Sequence, residues 1–121
     1  MCYIFKAMKT NRLLNPGDTI ALGTPIFTPY LEMPHLEDYG LKTVFIPARQ
    51  EERWQYSAAD LQPLLDPAVK AFFVVNPGNP HAVALSAESI RNIGHVLQVR
   101  PQLMLLTDDV YGTFVPGFRS L

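Results

Sequence analysis

The feature that most constrains the fold of this chain is an apolar segment near its middle, Val69-Lys-Ala-Phe-Phe-Val-Val75. It is rich in β-branched and aromatic residues and shows almost no alternation between apolar and polar positions. An alternating strand has one face in water, whereas a continuous apolar run is typical of a parallel strand that is covered on both faces. The sequence therefore predicts a layered α/β fold with helices on both sides of a sheet.

Further strand and helix patterns alternate along the chain. Three more strands are predicted, at 18–23, 42–46 and 103–107. Helices are predicted at 2–14, at 26–39 with an interruption at Pro34, at 57–65, and from Ser86 to about residue 99. Because this alternation indicates βαβ units, we expect a three-layer α/β architecture with a mostly parallel sheet.

Composition narrows the classes of partner and compartment. The 121 residues suit one domain or part of one, and a net charge of −1 without a basic run disfavours nucleic acid and anionic membranes as partners. A single cysteine, Cys2, cannot form an internal disulfide, which favours a cytoplasmic location. No segment has the roughly 20 apolar residues of a membrane span, and residues 1–14 lack the apolar core of a signal peptide.

Polar side chains follow two of the predicted strands at the point where each strand ends. Asn76 and Asn79 follow the strand that ends at Val75, and Asp108 and Tyr111 follow the last strand. Since the carboxyl ends of parallel strands meet at one edge of a sheet, we expect these side chains to lie close together. This edge is also where open α/β sheets bind their ligands.

A carboxylate, an amide and a phenol at one edge suit a heteroaromatic ligand such as pyridoxal phosphate. Asp108 would pair with a protonated ring nitrogen, while Asn79 and Tyr111 would donate to a ring oxygen. Phe27, which follows the first predicted strand, would stack on the ring face. The alternative is structural, because Asp and Asn are also common turn and cap residues at strand ends. Asp109 in particular is expected to be a cap, or a residue that supports the site without binding the ligand.

Other kinds of site have weaker support in the sequence. His35, His81 and His95 are scattered without metal-ligand spacing, so no metal site is expected. The chain has neither a Gly-rich phosphate loop nor a Gly-x-Ser-x-Gly nucleophile motif. Trp54 and Tyr56 are expected to anchor their connecting segment to the sheet by packing.

Two motifs carry a resemblance to a known family. Asn76-Pro-Gly-Asn-Pro80, followed about thirty residues later by Asp108-Asp-Val-Tyr111, resembles the class I/II aminotransferase superfamily of fold type I pyridoxal phosphate enzymes. The segments 13–31, 69–76 and 107–114 are similar to its aspartate 4-decarboxylase branch. The presence of His81-Ala82 after the second Asn-Pro, and of Asp109 after Asp108, fits that branch better than the general aminotransferases.

The resemblance implies a cofactor and a role for each site residue. Pyridoxal 5'-phosphate would be the cofactor and aspartate the substrate, converted to alanine and carbon dioxide with aminotransferase side activity. Asp108 would bind the pyridine nitrogen, Tyr111 and Asn79 the phenolic oxygen, and Phe27 the ring face. The first helix, starting at Met1, would direct its N-terminus at the phosphate, and the parent enzyme would be a homo-oligomer.

The resemblance also implies that residues 1–121 are a central, incomplete part of the cofactor-binding large domain. The lysine that forms the Schiff base is expected to lie outside this chain, so we expect the chain alone to be inactive. Two alternatives remain open at this point. The chain could be part of a general class I/II aminotransferase, or it could be a non-catalytic α/β binding module.

Overall fold

The computed structural model describes residues 2–121, and its centre is a single sheet of four parallel strands. The strands lie in the order β2-β1-β3-β4, so each connection crosses over a face of the sheet. All four predicted strands and their parallel arrangement are confirmed. Their bounds are β1 Thr19–Thr24, β2 Lys42–Pro47, β3 Val69–Val75 and β4 Met104–Asp108.

Three α-helices accompany the sheet. They are α1 Cys2–Thr10, α2 Pro29–Glu32 and α3 Ala87–Val99. Helix α3 begins where the sequence predicts, because the hydroxyl of Ser86 accepts a hydrogen bond from the backbone N–H of Ser89 at 3.1 Å. The predicted first residue of α1, Met1, lies outside the described residues. Short 3₁₀ turns occur at Met33–His35, Gln50–Glu52, Gln62–Leu65 and Gly112–Phe114.

The helices cover both faces of the sheet, which confirms the three-layer prediction. On one face, Phe5 of α1 and Tyr30 of α2 pack with Phe73 of β3. On the other face, Ile93 of α3 packs with Phe72, the next residue of the same strand. Six of the seven residues of β3 are buried, as expected for a strand covered on both sides.

Two helix predictions differ from the structure, one in its extent and one entirely. The interruption predicted at Pro34 is observed, because Pro34 has no N–H to donate and the chain tightens into the 3₁₀ turn Met33–His35, but the helix predicted over 26–39 is then limited to the single turn Pro29–Glu32. The helix predicted over 57–65 is absent, and a 3₁₀ turn with Pro63 at its start takes part of its place. The longest helix described, α3, has 13 residues and is therefore too short to cross a bilayer.

The connection from β2 to β3 is held closed by one carboxylate. Asp60 accepts hydrogen bonds from the backbone N–H and hydroxyl of Ser57, at 2.9 and 2.5 Å, and from the guanidinium of Arg49, at 2.9 Å. Burial alone would raise the pKa of Asp60, but these three donors outweigh it, so the pKa lies below its usual value. Ionised Asp60 thus closes the loop that presents Trp54 and Tyr56.

We expect Asp60 to make the stability of the fold depend on pH in the acid range. Because its folded pKa lies below the unfolded value of about 3.9, its contribution is complete above that value and is lost as the pH falls through the folded pKa. Asp60→Asn should therefore lower the free energy of unfolding by about 1 kcal/mol at pH 7. It should also flatten the decline in stability between about pH 5 and pH 2. Equal declines in the two proteins, measured by urea unfolding, would contradict this role.

Candidate functional site

The four side chains predicted to bind the ligand line one cavity at the carboxyl edge of the sheet. The cavity has a volume of about 410 Å³. Phe27 arrives from the segment after β1, Asn79 from the loop after β3, and Asp108 and Tyr111 from the end of β4. Two apolar residues that sequence reasoning did not assign to the site, Val75 and Val110, complete the lining.

Asp108 is fixed at the edge of the sheet by both its backbone and its side chain. It pairs with Val75 in the β3–β4 register, and its backbone carbonyl accepts the N–H of Asn76 at 2.9 Å. One carboxylate oxygen accepts the hydroxyl of Tyr30 at 2.9 Å, and the other accepts the N–H of Val110 at 3.3 Å. The carboxylate therefore keeps one orientation while it remains partly accessible from the cavity.

Tyr30 is a site residue that sequence reasoning missed. It lies in α2, and its side chain is buried with only 5% exposed. Burial, together with the adjacent carboxylate of Asp108, raises the pKa of the Tyr30 phenol far above its usual value, so the hydroxyl stays protonated and continues to donate. A buried hydroxyl requires a polar partner, but the sequence does not show that the partner of Tyr30 is Asp108.

Tyr111 and Asn79 are held much less firmly than Asp108. The side-chain amide of Asn79 donates to the hydroxyl of Tyr111 at 3.4 Å, which is a long hydrogen bond. The Tyr111 side chain is 38% exposed, and its ring tilts against Phe114 with 6.4 Å between centroids. This hydrogen bond can therefore be exchanged for contacts with a ligand oxygen in the cavity.

Phe27 offers an accessible aromatic face to the same cavity. Its side chain is 46% exposed, although it follows directly after the buried residue Ile26. Contact of a large aromatic ring with water is unfavourable. A flat ligand ring that stacked on Phe27 beside Val75 and Val110 would remove this contact. The cavity thus combines a carboxylate, two polar donors and an aromatic face, which are groups that suit a protonated heteroaromatic ligand.

Two polar residues near the cavity have other contacts. Asn76 is almost fully buried, and its side-chain oxygen accepts the backbone N–H of Leu85 at 2.9 Å, so it shapes the loop. The carboxylate of Asp109 accepts the hydroxyl of Thr107 at 3.3 Å and does not line the cavity. Within residues 2–121, no cluster of three His, Cys, Asp or Glu side chains is placed to hold a metal ion.

Sequence comparisons place the chain among aminotransferases. The family model for aminotransferase class I and II matches residues 7–120. A bifunctional aspartate aminotransferase and L-aspartate beta-decarboxylase from a Pseudomonas species is 48% identical over 122 residues, covering 100% of this chain and 23% of the relative. A probable aspartate/prephenate aminotransferase from Rhizobium leguminosarum bv. phaseoli is 36% identical over 98 residues, covering 81% of this chain and 24% of the relative.

Solved structures give the same result for the fold. Alanine aminotransferase from Pyrococcus furiosus matches with a TM-score of 0.75 and 26% identity, covering 90% of this chain and 28% of that one. The aspartate aminotransferase from Rhizobium meliloti matches with a TM-score of 0.74 and 29% identity, covering 88% and 26%. The chain thus spans about a quarter of the length of the curated relatives it matches.

We expect Tyr30→Phe to destabilise the fold, because it removes a buried hydrogen bond to a carboxylate. The free energy of unfolding should fall by about 2 kcal/mol, the usual contribution of a hydrogen bond to a charged group. Tyr3→Phe is the matched control, since Tyr3 is 86% exposed and its hydroxyl should contribute less than about 0.5 kcal/mol. Equal stabilities of the two variants in urea unfolding would show that the Tyr30–Asp108 contact does not stabilise the site.

Proposed function

The chain belongs to the aminotransferase class I and II family, and from that premise we propose that it is the central part of the pyridoxal phosphate-binding large domain of an enzyme acting on aspartate. Members of this family depend on pyridoxal phosphate. The observation that carries the proposal is the cavity in which Asp108, Tyr111, Asn79 and Phe27 meet. These four groups fit the chemistry of the cofactor's ring one by one.

Asp108 would hold a proton on the pyridine nitrogen of the cofactor. A carboxylate next to that nitrogen favours its protonated form, and a protonated ring is the better electron acceptor. Tyr30 and the N–H of Val110 would keep the carboxylate oriented, because each donates to one of its oxygens. When bound, pyridoxal phosphate supplies an electron sink for the bonds broken at the substrate.

Tyr111 and Asn79 would bind the phenolic oxygen of the cofactor. Their mutual hydrogen bond is long, so exchanging it for contacts with a ligand oxygen would cost little. Phe27 would stack on the ring and exclude water from one face. Together these residues would fix the plane of the cofactor ring. The orientation of that plane determines which bond of the substrate is aligned for cleavage.

We further propose that the enzyme removes the β-carboxylate of L-aspartate and releases L-alanine and carbon dioxide. The support is the 48% identity, across the whole of this chain, to the bifunctional Pseudomonas protein. Transamination of aspartate is the second candidate, and it is favoured by the aspartate aminotransferase from Rhizobium meliloti, which is 32% identical over 96% of this chain. Both candidates use the same cavity and differ in the product formed.

We also propose that the 121-residue chain alone does not catalyse the reaction, because none of its lysines lines the cavity. Lys6 and Lys9 are on α1, and Lys42 begins β2 at the amino end of that strand. Lys70 donates to the carbonyl of Pro67, also at the amino end of its strand. The covalent attachment of the cofactor would therefore require a lysine outside these residues.

We expect the product of the complete gene to convert L-aspartate to L-alanine and carbon dioxide, and Asp108→Ala to lower kcat by about 100-fold or more. The reason is that the pyridine nitrogen would lose the group that keeps it protonated. Asp109→Ala is the matched control and should retain most of the activity. Unchanged turnover in Asp108→Ala would overturn its assignment, and formation of the 2-oxo acid of aspartate in place of alanine would favour the transamination candidate.

Tyr111→Phe should leave the cofactor bound but change its spectrum. The hydroxyl of Tyr111 would stabilise negative charge on the cofactor's phenolic oxygen by donating a hydrogen bond to it. It would thereby lower the pH midpoint at which the visible absorption of the bound cofactor changes. Removing one such hydrogen bond should raise that midpoint by about one pH unit. Tyr39→Phe serves as the control, because the ring of Tyr39 packs on Phe5 away from the cavity. A spectral titration that superimposes on that of the unmodified protein would remove Tyr111 from the site.

A further inference from the structure

The loop that carries Asn79 is a tight turn closed by its own backbone. The N–H of Gly78 donates to the carbonyl of Val83 at 2.9 Å, and the N–H of Ala82 donates to the carbonyl of Gly78 at 2.8 Å. Asn79 lies within the segment that these two hydrogen bonds close. The direction of its side-chain amide therefore depends on whatever keeps this turn in place.

His81 packs against the inside of that turn. Its imidazole lies so close to Gly78 that a Cβ at position 78 would overlap the ring and displace it. The imidazole also stacks on the indole of Trp54, with 5.3 Å between ring centroids and 30° between ring planes. The partly buried ring thus contacts both Gly78 and the side chain of Trp54.

Trp54 is itself held in an uncommon conformation. Its φ is +61° and that of Arg53 is +55°, both in the left-handed region that residues with side chains rarely adopt. The sequence predicted that Trp54 and Tyr56 anchor this connection by packing, and both residues pack on the apolar cluster that contains Phe72 of β3. The ring of Trp54 also stacks on His81.

The imidazole of His81 acts here as a flat neutral group. Its Nδ1 atom is buried and has no hydrogen-bond partner within residues 2–121. Burial lowers the pKa of His81, which disfavours a charge on the ring. The contribution of His81 to the turn is therefore packing rather than an ion pair.

We propose that His81 is a positioning residue, which orders the 78–83 turn from between Gly78 and Trp54 and thereby keeps the amide of Asn79 directed at the Tyr111 hydroxyl. This inference rests on the proposed function, because that proposal assigns Asn79 and Tyr111 to the cofactor's phenolic oxygen. It adds a residue that does not line that cavity, and it links the β2–β3 connection to the site.

The first test measures the turn in the apo protein, without any cofactor. In the product of the complete gene, His81→Ala should speed hydrogen exchange at the N–H groups of Gly78 and Ala82 by about tenfold, because the turn loses its packing. His95→Ala is the matched control, since His95 is an exposed histidine on α3. Unchanged exchange in His81→Ala would overturn the proposal.

The second test measures the cofactor site in the same proteins with pyridoxal phosphate as the probe. His81→Ala should weaken pyridoxal phosphate binding about five- to tenfold, the equivalent of one neutral hydrogen bond. It should also raise the pH midpoint of the visible absorption band, as loss of a donor to the phenolic oxygen would. Faster exchange with an unshifted midpoint would overturn the link from His81 to Asn79.

A double-substitution cycle keeps the test decisive if His81→Ala destabilises the protein. Gly78→Ala alone should speed exchange in the turn, because the new methyl group overlaps the imidazole. In Gly78→Ala/His81→Ala the overlap is gone, so the second substitution should add little to the first. Strictly additive effects would overturn the packing on which the proposal depends. An unmodified protein that does not bind pyridoxal phosphate would instead overturn the proposed function, while hydrogen exchange would still decide whether His81 orders the turn.

Discussion

The pairing of the ends of β3 and β4 is the constraint on which the rest of the site depends. Val75 and Asp108 are partners in the register, and the N–H of Asn76 donates to the carbonyl of Asp108 just beyond them. A shift of one residue would turn the Asp108 side chain to the opposite face of the sheet and away from Tyr30. Burial of β3 on both faces makes such a shift costly, so the apolar core fixes the position of a polar group.

The parts of the fold that could be predicted from sequence are those set by local patterns of burial. A strand covered on both faces must be apolar throughout, and this is why Val69–Val75 was predicted with its observed bounds. The N-cap at Ser86 was equally local. Short helices were harder to predict. An interruption was expected at Pro34, but no α-helix follows it, and Pro63 lies at the start of a 3₁₀ turn where a regular helix was predicted.

The candidate site was predictable only in part, for a related reason. Asp108, Tyr111, Asn79 and Phe27 follow strands, and the parallel sheet brings strand ends together. The hydrogen bond from Tyr30 to Asp108 joins residues 78 positions apart, and no local pattern encodes it. The stack of Trp54 on His81 also joins two different connecting segments of the chain. Residues that support a site without contacting the ligand depend on packing between distant segments of the chain. Their role can therefore be recognised only in the three-dimensional structure.

The site combines groups of very different rigidity, and the difference has a chemical basis. Asp108 receives a fixed donor on each carboxylate oxygen, which suits a group whose charge must be ready before a ligand arrives. Asn79 and Tyr111 share one long hydrogen bond and must exchange it for the ligand. If both side chains were free to move, the entropy lost on binding would offset much of the free energy gained by that exchange. Support of the 78–83 turn by His81 removes part of this cost in advance. Trp54 of the β2–β3 connection, which stacks on His81, would thus contribute to binding without touching the ligand.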